Sequence, residues 1–231
     1  VTVYETFRGG EHLHVRTVLR PAAGAVIRLV QVQAMDAGAV LRSEVAARCP
    51  EGSSVELYRL LPGRGDTYAD DRLTLAGGAS LKAAMGYLGR NAQVIDLNLA
   101  VDHVGQNTRS DIDVSGALSG SARKVFRGTI DFKHGSAGST GSEQETVLLL
   151  GDDVVNKTVP LILCAEENVE GTHGATIGAL DEDTLFYFES RGFDRAAAED
   201  LMARAAVERL AHDLGDDATA ETVQHELNGG M

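Results

Sequence analysis

The chain has 231 residues, with 21 Lys and Arg against 34 Asp and Glu, which gives a formal net charge of −13. This acid excess argues against non-specific binding to nucleic acid or to an anionic membrane surface, because both need clustered basic side chains. No apolar run approaches the ~20 residues of a membrane-spanning helix. Two cysteines without disulfide-framework or zinc-site spacing favour a reducing, cytoplasmic setting.

Short runs of alternating apolar and polar residues fill most of the first ~190 positions, as expected for half-buried strands. The clearest runs are 25–35, 54–61, 92–102 and 125–132. Glycine supplies 26 of the 231 residues, about 11% of the chain compared with a usual share of about 7%. Many short strands with glycine-rich turns fit a sandwich, a barrel or a solenoid. Small side chains within the strands favour the stacked coils of a β-solenoid slightly over a sandwich.

The chain changes character near residue 193. Asp194 is a good N-cap for a helix that runs through Leu214, and Gly215 suits the position after its end. A second, shorter helix is predicted from Asp217 to Leu227. The predicted architecture is therefore mainly β, with a small α-helical tail.

Several residues could carry chemistry, and each also has a structural interpretation. His12 and His14 would share one face of a strand and could chelate a metal, but without a third ligand nearby a solvated pair is favoured. Cys164 ends an apolar run and is expected in the core.

Carboxylate pairs could serve acid–base catalysis in a groove, although turn positions favour structural roles. These pairs are Asp70 with Asp71, Asp111 with Asp113, Asp152 with Asp153, Glu166 with Glu167, and the run 181–183.

The segment 168–178 (NVEGTHGATIG) places one histidine among glycines and small residues. We expect a tight turn over 171–174 that presents the His173 imidazole, with Glu170 three residues before it. The pattern leaves open both a structural hydrogen bond and a ligand role for His173.

Residues 160–192 resemble the signature of the SufB/SufD family, the β-helical components of the SUF iron–sulfur cluster assembly machine. The resemblance rests on residues that match without a gap and on three shorter upstream stretches. The ungapped matches include 173–176 (HGAT), 185–187 (LFY) and 190–192 (SRG), and the upstream stretches are 101–110, 125–130 and 148–150.

The resemblance implies a right-handed parallel β-helix over 1–182 and a C-terminal helical domain over 183–231. It implies that this domain docks a SufC-type ABC ATPase, and that the β-helix pairs with a SufB-type subunit or a second copy. The chain would then be a non-catalytic scaffold, not an enzyme, that shares a transient iron–sulfur cluster with its partner. The expected partner contacts are Phe186, Tyr187, Arg191 and Leu210.

The sequence departs from the family pattern at two positions beside the histidine. Gly171 stands where the family has cysteine, and Glu170 where it has lysine. Because iron–sulfur clusters prefer thiolates, a short, SufD-like subunit would lend His173, with Glu170, to a site whose cysteine comes from the partner. One alternative is a degenerate paralogue that binds the ATPase without carrying a cluster. Another is a carbohydrate-active β-helix enzyme, disfavoured because such enzymes are usually exported and no signal peptide is recognisable.

Overall fold

A computed structural model describes residues 1–228 of the chain, as thirteen strands followed by three helices. The last three residues of the predicted helical domain lie outside this range. The elements are β1 (Thr2–Gly9), β2 (His12–Leu19), β3 (Val26–Met35), β4 (Val40–Cys49), β5 (Ser54–Leu61), β6 (Asp66–Leu75), β7 (Ser80–Gly89), β8 (Val94–His103), β9 (Arg109–Ser119), β10 (Arg123–Phe132), β11 (Ser139–Leu150), β12 (Val155–Cys164), β13 (Val169–Gly178), α1 (Glu182–Glu189), α2 (Arg195–Asp213) and α3 (Asp217–Leu227).

Successive strands alternate between two parallel sheets. The odd-numbered strands form a seven-stranded sheet, called sheet A, and the even-numbered strands form a six-stranded sheet, called sheet B. The chain therefore winds as a flattened β-solenoid of about six turns, which confirms the predicted parallel β-helix. The coils differ in length: Ser54 pairs with Ser80, whereas Arg123 pairs with Val155. This variation explains why the sequence shows no strict repeat.

Tight corners between the strands account for part of the glycine excess. Gly52 and Gly78 have φ angles of 68° and 66°, and Asn91 occupies the same left-handed region at 54°. Side chains other than Gly and Asn rarely adopt this conformation. Gly52 also donates its N–H to the carbonyl of Gly77 in the next coil at 2.9 Å, so the corners stack as the strands do.

The core lies between the two sheets and follows the predicted alternation. In β8, alternate residues from Ile95 to Val101 are fully buried. Phe126, Ile130 and Phe132 of β10 are also buried, as the pattern in 125–132 predicts. Sequence periodicity thus identifies which face of these strands points inward.

The helical tail packs back onto the outer face of sheet A. Asp194 caps α2 by accepting the N–H of Ala197 at 2.8 Å, and Gly215 follows with a φ of 66°. Both predicted helices are confirmed, and α1 precedes them. Val207 of α2 is fully buried against the sheet. A Cβ on Gly86 of β7 would lie 3.3 Å from the Val207 Cα, so this glycine permits the close approach of α2.

Two of the carboxylate pairs predicted in turns lie within strands instead. Asp70 and Asp71 belong to β6, and Asp111 and Asp113 belong to β9. Asp71 faces the interior, where its Oδ1 accepts a hydrogen bond from Arg59 Nη2 at 2.8 Å, and both side chains are almost completely buried. The turn prediction is wrong for both pairs, because Asp71 is neutralised inside the solenoid and Asp111 and Asp113 lie on the solvent-facing side of β9.

Removing one partner of this buried pair leaves an uncompensated charge between the sheets. We expect Asp71→Ala to lower the free energy of unfolding by about 3–5 kcal/mol. The double variant Arg59→Met/Asp71→Ala removes both charges and should be less destabilised than the single variant. Urea denaturation measures both values, and a double variant at least as destabilised as Asp71→Ala would contradict the assignment.

Candidate functional site at the open end of the solenoid

The last coil leaves an open end, made of β12 and β13. Each strand is terminal in its sheet and, within residues 1–228, pairs with a neighbour on one side only. The backbone groups of the free edges are therefore available to another chain. Large apolar side chains are exposed on the same two strands: Val159, Leu161, Leu163 and Ile177. The open end thus has both the backbone and the apolar surface of an interface.

His173 lies in the middle of β13, so the predicted turn over 171–174 is wrong. A glycine-rich segment forms a strand here because the opposite sheet approaches closely. A Cβ on Gly171 would lie 2.8 Å from the Ile162 Cγ2 atom and 3.2 Å from Phe132. Position 171, at which the family has cysteine, therefore faces the interior. In this chain Ile162 occupies the space that the Cβ of a residue at position 171 would need.

The strand register stacks His173 on Glu143 of β11. Residues paired in register point to the same side of a parallel sheet, and Glu143 points inward with only 5% of its surface exposed. Burial and, to a smaller extent, the nearby charge of Glu145 raise the pKa of Glu143 to about 7, whereas the nearby Lys124 acts in the opposite direction. His173 thus lies over a carboxyl group that titrates near neutrality.

A buried ion pair lies beneath these residues. The Lys124 ammonium group donates to Glu145, and the Thr158 hydroxyl of β12 donates to the other oxygen of the same carboxylate at 2.5 Å. Burial lowers the pKa of Lys124, while its hydrogen bond to Glu145 acts in the opposite direction. The network links the two sheets just below the open end.

Glu170 does not converge with His173. The two residues are three apart on an extended strand, so their side chains leave opposite faces. Glu170 pairs in register with Thr140, whose side chain is exposed on the outer face of β11. The structure therefore separates the two side chains that the sequence grouped as ligands.

Cys164 is exposed at the end of β12, so its predicted core position is wrong. Its register partner, Phe132, is buried, and Cys164 differs because β12 is the last strand of sheet B.

Across residues 1–228, no group of three or more His, Cys, Asp or Glu side chains is arranged to hold a metal ion. His12 and His14 lie on β2, at the far end of sheet B, and His14 Nε2 lies 2.9 Å from a Glu44 oxygen.

A second exposed surface lies on α1. The Phe186 side chain is 71% exposed, and the Arg191 guanidinium stacks over the exposed Tyr187 ring at 3.6 Å from its centroid. Leu185, on a different face of the helix, is buried. Leu210 of α2 is half-buried against sheet A, so three of the four predicted partner contacts lie on freely accessible surface.

The sequence model of the SUF system FeS cluster assembly SufBD core domain matches residues 1–206. The chain belongs to the SufBD core family. The Bacillus subtilis iron–sulfur cluster assembly protein SufD is 26% identical over 163 residues, which cover 70% of this chain and 37% of that protein. The chloroplastic SufBD family protein ABCI8 of Arabidopsis thaliana is 29% identical over 137 residues, or 59% of this chain and 25% of that protein.

This SufBD chain therefore spans well under half the length of the curated relatives that it matches. The match confirms the family that the signature in residues 160–192 predicts. None of the helices within residues 1–228 is long and apolar enough to cross a membrane.

The raised pKa of Glu143 predicts a pH-dependent stability. The folded chain keeps the Glu143 proton up to about pH 7, whereas an unfolded glutamate loses it near its ordinary pKa of 4.5. The free energy of unfolding of the natural chain therefore decreases as the pH rises through this window. Because Glu143→Gln cannot ionise, we expect its stability relative to the natural chain to increase by roughly 2 kcal/mol between pH 5 and pH 8.

Urea denaturation at several pH values measures this difference. Glu11→Gln, at an exposed position, serves as the control and should show no such trend. A stability difference between Glu143→Gln and the natural chain that stays constant from pH 5 to pH 8 would contradict the burial argument.

Proposed function

We propose that the chain is a non-catalytic scaffold subunit of iron–sulfur cluster assembly that lends His173 to a cluster site completed by a partner subunit. The observation that carries this proposal is the position of His173 at the open end, stacked on Glu143, in a chain whose described residues do not form a metal site alone. The cluster would be cargo that the complex builds and passes on.

The ligand chemistry supports a shared site. Iron–sulfur clusters are usually held by cysteine thiolates, and histidine replaces some of them in known clusters. Gly171 supplies no thiolate, so the sulfur ligands would come from the partner. The exposed thiol of Cys164 lies on the other strand of the open end.

The open end also supports pairing with a second β-solenoid. An unpaired strand edge accepts another strand through main-chain hydrogen bonds, and the exposed apolar residues of β12 would be buried by the contact. The second subunit would be a SufB-type protein or another copy of this chain. Either arrangement brings the ligands of the partner towards His173.

The surface of α1 supports docking of a SufC-type ABC ATPase. Exposed aromatic residues and arginine are enriched among the side chains that dominate binding energy at interfaces, and Phe186, Tyr187 and Arg191 provide this combination. An ion pair of 3.1 Å between Arg195 and Glu182 connects α1 to α2. The two free cysteines support a reducing, cytoplasmic setting for the assembly.

The degenerate-paralogue alternative has one observation in its favour. Ile162 fills the space beside Gly171, so the family's cysteine position is closed by packing in this chain. The carbohydrate-active alternative is weaker, because the carboxylates that suggested it are engaged elsewhere. Asp71 is buried with Arg59, and Asp111 accepts a 2.6 Å hydrogen bond from Arg109.

Anaerobic reconstitution of the complex tests the role of His173. The chain is co-expressed with its SufB-type and SufC-type partners, and the purified complex is supplied with iron and sulfide. We expect His173→Ala to remove most of the visible absorbance of the cluster. His14→Ala, at an exposed histidine remote from the open end, and Glu170→Ala, on the opposite face of β13, should retain it. An intact complex with unchanged absorbance in His173→Ala would support the degenerate paralogue.

Binding of the ATPase can be measured separately. We expect Phe186→Ala/Tyr187→Ala to weaken ATPase binding at least tenfold in surface plasmon resonance, because the pair forms the centre of the exposed α1 surface. Tyr4→Ala removes an exposed aromatic ring from β1 and should change affinity less than twofold. Equal affinity in the natural chain and the α1 variant would remove α1 from the docking surface.

A further inference from the structure

Four arginines surround a single alanine on the outer face of sheet B. Ala46 of β4 pairs in register with Arg72 of β6, and Arg48 lies two residues further along β4. Arg16 and Arg20 lie two residues before and after the β2 residue that pairs with Ala46. Arg16, Arg20, Arg48 and Arg72 are called the arginine cluster below.

Sheet geometry brings these side chains together. Neighbouring strands lie about 4.8 Å apart and alternate residues along a parallel strand about 6.6 Å apart, so four long side chains extend around the same small residue. They line a surface cavity of about 660 Å³ that also includes Thr74. This volume is within the roughly 300–1,000 Å³ typical of small-molecule sites.

The positive charge of the arginine cluster is only partly neutralised by its neighbours. Arg16 lies 3.8 Å from Glu44 and Arg72 lies 3.4 Å from Asp70, yet both arginine side chains remain about 70% exposed. Within residues 1–228, Arg20 and Arg48 have no hydrogen-bond or ion-pair partner for their guanidinium groups. The cluster is thus a basic site with two free guanidinium groups on a protein of net charge −13.

We propose that the arginine cluster binds a small phosphate-rich anion, of the class of a diphosphate or triphosphate group. A guanidinium group matches two phosphate oxygens at once, and continuing the register beyond Leu19 and Ala47 places the free Arg20 and Arg48 side by side. Four arginines around one surface cavity of about 660 Å³ suit a compact anion better than an extended acidic protein surface. The site is on the opposite sheet from the helices and far along the solenoid from β12 and β13, so the proposal is independent of the cluster-assembly function.

Isothermal titration calorimetry of the full chain with sodium tripolyphosphate tests this site at low ionic strength, at which charge interactions are least screened. We expect one saturable site, and at least tenfold weaker binding in Arg20→Gln/Arg48→Gln. The matched control is Arg123→Gln/Lys157→Gln, which removes the same charge from exposed positions on the outer face of sheet B. This control should bind within twofold of the natural chain.

Parallel titrations identify the source of the phosphate group. A nucleoside triphosphate that binds as tightly as tripolyphosphate, or more tightly, supports a nucleotide as the ligand, and weaker binding supports an inorganic polyphosphate. Equal losses in the two double variants would reduce the effect to diffuse charge and overturn the proposal. Absence of saturable tripolyphosphate binding, or tighter binding of a hexaglutamate peptide, would also overturn it.

Discussion

In-register parallel pairing between coils is the constraint on which the rest of this structure depends. Each strand hydrogen-bonds to the corresponding strand of the next coil, so residues in the same register position form a column with a common orientation. The columns between the sheets hold the core, and those outside form the two faces. One rule therefore stacks His173 on Glu143 and gathers four arginines around Ala46.

The same constraint explains which strands have an unpaired edge. A solenoid satisfies the backbone of every internal strand, but its terminal strands retain a free edge. In this chain β12 and β13 form such an end, and it carries exposed apolar residues, Cys164 and His173. The helices α2 and α3 pack on the outer face of sheet A, and α1 presents the exposed aromatic residues Phe186 and Tyr187. The proposed function therefore places subunit pairing at the open end and ATPase docking at α1.

Sequence reasoning predicted the elements with strong periodicity and missed those that depend on tertiary contacts. The alternation in β8 and the caps at Asp194 and Gly215 are local signals, and the structure confirms both. The glycines around His173 predict a turn. The segment is a strand instead, because its glycines allow close packing against Ile162 and Gln144 and do not reverse the chain. The arginine cluster could not be predicted because unequal coil lengths conceal the register that unites its members. The exposure of Cys164 depends on which strand ends the sheet.

The central claim is that His173 supplies a ligand to a cluster held at the open end. Of the seven histidines in the chain, only His173 lies on β12 or β13. The most direct test is pulsed electron paramagnetic resonance of the reduced cluster in the reconstituted complex, with ¹⁵N-histidine incorporated into this subunit alone. The account predicts a ¹⁵N hyperfine coupling that disappears in His173→Ala. A cluster signal of full intensity without any ¹⁵N coupling would contradict it.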